Sequence, residues 1–295
     1  MHTIDTVYCA AITPMNYDQS VDLAGLVRNI RWYRGQGLGG VLVCGGTGEF
    51  VSLSFEERQA VVAAAAREIA GRGGFMVGCA AETTREAILH AQHAEVCGAD
   101  GLLLIAPYYF KPSKAELVEH MRAVARSVSI PVALYNNPGS CGSDLTPEII
   151  AELSVEPNIT HVKEATGELQ RVDEIRRLSS PDFHVMCGCD YLACDILEKG
   201  GAGWISITAN ALPGQSQQLF DRMMAGDYTG ARAVMEKYLP LYTVCEQPYK
   251  AIQTIKFMME ALGCASGPSR LPRQPLTERE QVNVLLMMRE AGLLA

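Results

Sequence analysis

The chain has 295 residues, 48% hydrophobic and 20% charged, which is the composition of a globular protein able to bury a full core in one large or two small domains. Its net charge of −8 and pI near 5.3 supply no basic field for phosphates, which argues against nucleic acid or an anionic membrane as partner. The opening Met1-His-Thr-Ile-Asp5 is not a basic stretch followed by an apolar one, and no window holds the roughly 18 apolar residues of a bilayer span, so a cytoplasmic location is expected.

Short apolar, β-branched runs predict strands at 7–12, 40–44, 75–79, 101–105, 132–135, 159–163, 184–187 and 203–207. Between them, helical periodicity predicts helices over 21–36, 54–70, 83–97, 113–127, 146–154, 168–178, 190–199 and 212–225. Several carry start signals: Ser54 with Glu57 three residues on, Thr83, Ser113, and Thr146 before Pro147. Eight strands alternating with eight helices imply parallel pairing through right-handed crossovers. No GxGxxG follows the first strand, and the count of eight favours a closed (β/α)8 TIM barrel over a doubly wound sheet. The barrel domain is expected over 1–225. The remainder, 226–295, is helical in pattern with no strand and is read as a C-terminal helical extension. The ten cysteines show no CxxC or Cys/His ligand spacing, so reduced, mostly buried thiols are expected rather than disulfides or zinc.

In such a barrel the chemistry lies at the C-terminal strand ends, which turns scattered motifs into one constellation. Lys163 ends the sixth strand. Burial there disfavours an ammonium, and a lowered pKa would leave a neutral nucleophile for a carbonyl; the plainer reading is a lysine snorkelling to solvent or pairing with Glu164. After the second strand, Cys44-Gly-Gly-Thr-Gly-Glu-Phe50 permits a turn whose N–H groups around Gly46 and Thr47 converge on a carboxylate. It lacks the GK[ST] of a nucleotide loop. Tyr108 and Tyr109 follow the fourth strand, and Tyr135 ends the fifth; such hydroxyls can shuttle protons if they face the mouth, though tyrosine pairs are most often packing. Asn137, Ser140 and Cys141 in the next loop would line a polar, uncharged pocket. Gly188, after the seventh strand, would let a substrate approach the backbone, while Asp190 reads as a cap on the following helix. His90 and His93 beside Glu86 have a metal-like spacing, but the outer face of a helix is their expected place. Lys111 and Lys114 read as surface lysines, and the segment 246–250 faces either the mouth or a subunit interface.

Taken together, these motifs resemble the dihydrodipicolinate synthase and N-acetylneuraminate lyase superfamily of class I aldolases. The resemblance rests on Ile12-Thr-Pro14, GGTGE at 45–49, PYY at 107–109, YNNPG at 135–139, KEATGE at 163–168, GCD at 188–190 and ISITAN at 205–210. It implies that Lys163 forms a Schiff base with a 2-keto acid and that Tyr135 is the general acid/base. It further implies that Thr47 links Tyr135 to Tyr109, with Tyr109 crossing into a neighbouring subunit of a dimer or tetramer. The Gly46-Thr47 turn is then the carboxylate cradle, and the Ile205 carbonyl lies near the relay. No metal or organic cofactor is expected, because the iminium is its own electron sink.

Two departures bear on the substrate. The lysine-pathway synthase carries threonine where this chain has Gly46 and arginine where it has Ser140, and serine cannot make an arginine's bidentate contact to a second carboxylate. Phe55 and Arg58 also replace histidines of feedback-regulated relatives. The expected reaction is therefore aldol cleavage, condensation or dehydration of a hydroxylated, keto-deoxy sugar acid-like 2-keto acid. The alternatives are 4-hydroxy-tetrahydrodipicolinate synthesis from pyruvate and aspartate semialdehyde, or a catalytically silent keto-acid-binding protein. The intact set of Lys163, Tyr135, Thr47 and Tyr109 favours an enzyme over the silent reading.

Overall fold

The structure, a computed structural model, describes residues 4–247 and 249–294. Buried apolar runs form the strands β1 (Val7–Ala10), β2 (Gly40–Val43), β3 (Gly74–Gly78), β4 (Gly101–Ile105), β5 (Val132–Asn136), β6 (Ile159–Glu164), β7 (His184–Cys187) and β8 (Gly203–Ser206). Each pairs in parallel with the next, and β8 pairs with β1, so the sheet closes into a barrel. Both faces of such a sheet are covered, which is why most of the strands are predominantly apolar rather than alternating, β6 with Thr160, His161, Lys163 and Glu164 being the exception.

The helices are α1 (Leu23–Gly35), α2 (Phe55–Ile69), α3 (Thr84–Val96), α4 (Lys114–Arg126), α5 (Pro138–Cys141), α6 (Pro147–Leu153), α7 (Gln170–Leu178), α8 (Ala193–Glu198), α9 (Pro213–Met224), α10 (Tyr228–Cys245), α11 (Ala251–Ala261) and α12 (Glu278–Glu290). Their starts are chemical. Ser54 with Glu57, Ser113 with Glu116, and Thr277 with Glu280 form reciprocal capping boxes, and Thr83 and Thr146 accept from N–H groups of their first turns. The strands and barrel helices stand where the sequence places them. The one-turn α5 was not foreseen, and it shapes the loop after β5. In the C-terminal part, α10 packs on α8 and α9, and α12 on α10 and α11.

Barrel closure sorts the side chains into two layers. Tyr8, Leu42, Met76, Leu103, Ala133, Met186 and Ile205 fill the barrel interior, with Tyr135 resting on them; the larger apolar layer lies between strands and helices. Neighbours in register on parallel strands face the same side. Lys163 pairs with Tyr135 on one flank and Met186 on the other, so its side chain points into the barrel at the C-terminal end.

All ten cysteines are free thiols, with only Cys97 and Cys264 less than fully buried. Among the described residues no helix is long and apolar enough to cross a membrane.

Candidate active site

Lys163 is buried, with Nζ lying 4.3 Å from the ring centre of Tyr135. A cation over an aromatic face is attracted by the ring quadrupole, so the tyrosine holds the amine in place as well as facing it. The Tyr135 hydroxyl accepts a hydrogen bond of 2.9 Å from the Asn137 side-chain amide. Asn137 thus orients the hydroxyl, a role that its sequence position did not suggest.

The outward-facing neighbours brace this pair. Asn136 and Glu164 follow Tyr135 and Lys163 on the two strands and are themselves in register. The Asn136 amide donates to Glu164 Oε2 at 3.0 Å and to Asp144 Oδ1 at 3.2 Å, and Arg171 grips Asp144 through two bonds of 2.8 and 2.7 Å. Glu164 also accepts from the Thr166 N–H at 2.7 Å. It is turned away from Lys163, which removes the reading of the two as an ion pair.

The charge environment of Lys163 corrects a second expectation. Burial does work to lower its pKa, but the adjoining Tyr135 and the carboxylates of Asp190 and Glu246 outweigh it, and the ammonium is held above its ordinary value. Asp190 does not cap the helix after it. It is fully buried, and its carboxylate accepts from Trp204 Nε1 at 2.9 Å, Ser206 Oγ at 2.9 Å and the Thr208 N–H at 2.8 Å. The Asp190 N–H in turn donates to Glu246 Oε1. Glu246, just past α10, is pushed up to about 8 by burial and by the nearby Asp190 charge. With the carboxyl raised in this way, its contribution to stability is fully present below its ordinary value of 4.5 and is lost progressively as pH rises from there through about 8.

A pH effect follows. Above pH 8 an ionised Glu246 gives the Lys163 ammonium a further counter-charge, whereas well below pH 8 it is neutral. Glu246→Gln is therefore expected to lower the Lys163 pKa measured above pH 8 and to leave the amine little changed at neutral pH. The pH dependence of Lys163 labelling by an amine-acylating reagent, read by peptide mass spectrometry, checks this; an upward shift would contradict it.

The mouth opens into a cavity of about 420 Å³ bordered by Gly45-Gly46-Thr47, Tyr135, Asn137 and Ser140, with Tyr108, Ile207 and Arg273 completing the wall; Lys163 is not among the lining residues and lies against one that is, Tyr135. Thr47 borders it without a hydrogen bond to Tyr135 or Tyr109 among the described residues. A Cβ on Gly46 would meet nothing within 4 Å, so the glycine there leaves open space rather than avoiding a clash.

Four predicted site residues fall elsewhere. Gly188 does not border the cavity; a Cβ there would sit 2.5 Å from the Glu164 carbonyl oxygen, so close backbone packing, not substrate, demands glycine. Ile205 is buried in the barrel interior, and Ile207 lines the mouth instead. Cys141 is turned inward by α5, its thiol facing the carbonyls of Asn137 and Ser143 at 3.2 Å each. Tyr109 is 77% exposed and packs edge-on against Phe110, with its N–H on Glu82 Oε1, so a single chain does not bring it to Thr47 and Tyr135.

The remaining motifs resolve as structure. Arg58 is buried, donating to the carbonyls of Gly78 and Ala80 and lying over Phe50. His90 packs on Phe55, and burial lowers its pKa to about 4. Lys114 pairs with Glu152 and Lys250 with Glu280. Glu246, Ala251 and Ile252 show that the segment after α10 faces the mouth; Pro248 within it lies outside the described residues. Among the described residues, Asp5, His161 and His184 are close enough to share an ion. They sit at the opposite, N-terminal strand ends, and both ring nitrogens of His161 are already engaged, by Asp5 and by Thr160.

The sequence profile of the Dihydrodipicolinate synthetase family matches residues 3–291. A 4-hydroxy-tetrahydrodipicolinate synthase of Methanospirillum hungatei is 40% identical, covering 92% of this chain and 94% of its own. One from Alcanivorax borkumensis is 39% identical, covering 97% of each. Among solved structures, the chloride-inhibited dihydrodipicolinate synthase of Acinetobacter baumannii complexed with pyruvate superimposes with a TM-score of 0.93 at 31% identity, over 99% of this chain and 100% of that one. A prophage protein of the dihydrodipicolinic acid synthase family from E. coli, also complexed with pyruvate, gives 0.94 at 29% identity over the same shares.

Proposed function

The chain belongs to the dihydrodipicolinate synthetase family, and from that premise we propose that it is a Schiff-base lyase joining pyruvate to an aldehyde through Lys163. The observation that carries this is the buried Lys163 amine held against Tyr135, whose side chain borders the mouth cavity. After losing a proton, Nζ adds to the C2 carbonyl of the keto acid, and water leaves to give the iminium. Loss of a C3 proton yields the enamine, whose carbon attacks the aldehyde and forms the new C–C bond. Tyr135, oriented by Asn137, carries protons at these steps, and the Gly46-Thr47 turn holds the keto-acid carboxylate.

The names of the curated relatives favour condensation with aspartate semialdehyde over the sugar-acid reading, as 4-hydroxy-tetrahydrodipicolinate synthases do. The objection drawn from Ser140 loses force because another arginine, Arg273, borders the same cavity. Cleavage or dehydration of a hydroxylated keto acid is the second reading, favoured by the uncharged Ser140 and Asn137 on the cavity wall. Tyr109, exposed on each chain, would complete the relay of a neighbouring subunit in a dimer or tetramer.

A substrate panel separates the two. Pyruvate with aspartate semialdehyde is expected to react faster than keto-deoxy-gluconate, keto-deoxy-arabonate or 4-hydroxy-2-oxoglutarate, with products read by mass spectrometry. Turnover confined to the last three would overturn the condensation reading.

A further inference from the structure

Among the described residues, Arg273 is the only charged side chain bordering the mouth cavity. It comes from the segment between α11 and α12, far in sequence from the barrel loops it meets. Its Nη1 donates to Ser52 Oγ at 2.9 Å and lies 3.6 Å from Glu49 Oε2, while Nε and Nη2 have no hydrogen bond among the described residues. One whole edge of the guanidinium fork therefore remains for a ligand.

The charges around it leave that edge positive. Lys256 pairs with the fully buried Glu49 at 2.6 Å, and Arg270 grips Glu57 through bonds of 2.6 and 2.5 Å. Three cations thus share two carboxylates, and the cation with the longest contact, Arg273, is the one beside the cavity. The arrangement fixes the fork by Ser52 and Glu49 without neutralising it, and Asn137 and Ser140, which also border the cavity, are uncharged. An Nε/Nη2 edge matches the two oxygens of a carboxylate.

We propose that Arg273 is the specificity residue that binds the distal carboxylate of the substrate, making the mouth selective for adducts with two carboxylates. One sits at the Gly46-Thr47 turn and the other at Arg273. This rests on the Schiff-base reading only for the placement of the first carboxylate.

The test uses the full chain and its Arg273→Gln and Arg273→Lys variants. Calorimetry compares 2-oxoadipate with its monocarboxylate analogue 2-oxohexanoate, and borohydride trapping of pyruvate is run alongside. The unaltered chain is expected to bind the dicarboxylate more tightly. Arg273→Gln is expected to weaken the dicarboxylate about ten-fold or more, leave the monocarboxylate within about two-fold and leave pyruvate trapping intact, with Arg273→Lys intermediate. No preference in the unaltered chain, or equal losses for both acids, overturns the assignment. If trapping fails while the dicarboxylate difference persists, the Schiff-base reading falls and the Arg273 site stands.

Discussion

Replacing Lys163 by alanine is expected to lower turnover by about a thousand-fold or more and to abolish covalent capture of a keto acid. No other lysine takes its place, because the side chain in register with Tyr135 and Met186 is the one the strands aim into the barrel at this level. The fold should survive. The substitution removes one buried side chain beside Tyr135, although the carboxylates of Asp190 and Glu246 then lose a neighbouring cation. Circular dichroism and thermal melting distinguish loss of chemistry from loss of structure. A variant that melts normally yet keeps more than about a tenth of the activity would mean that the amine is not the nucleophile.

Removing the Tyr135 hydroxyl alone, as Tyr135→Phe, is expected to cut kcat by about a hundred- to ten-thousand-fold, the range of a lost general acid/base. The ring over which Lys163 lies is kept, so the amine remains in place and the adduct still forms, more slowly. Asn137 loses its acceptor at the same time. The signature is a split: complete borohydride capture at long incubation together with nearly absent turnover. Loss of both in a folded variant would point to Tyr135 as a support for the lysine rather than a carrier of protons.

The strands and barrel helices were legible because local signals agree. Apolar runs too short for helices alternate with periodic segments that begin on Ser54, Thr83, Ser113 and Thr146, and parallel pairing leaves few ways to join them. The direction of Lys163 needed more, since only its pairing with Tyr135 and Met186 decides which face it takes. What failed came from outside each local segment. Burial alone predicts a lowered lysine pKa, but Tyr135 on the neighbouring strand and the carboxylates that arrive from the loops after β7 and α10 reverse it. Glu164, adjacent in sequence, contributes no ion pair because successive strand residues face opposite sides.

The C-terminal part was read as an appendage, yet it sends Ala251, Ile252 and Arg273 to the mouth. Helical patterning carries no information about which end of a barrel a segment covers. Cys141 was misplaced because sequence adjacency to Ser140 says nothing of the one-turn helix that rotates it inward. Gly188 shows the reverse problem: its glycine was rightly singled out, but the neighbour that needs it is the Glu164 backbone.

Borohydride reduction of the protein incubated with pyruvate, read by peptide mass spectrometry, bears most directly on the role given to Lys163. A reduced pyruvyl group on the peptide carrying Lys163, and on no other lysine, is the predicted result; an unmodified Lys163 with pyruvate and with every other 2-keto acid of the panel would contradict it.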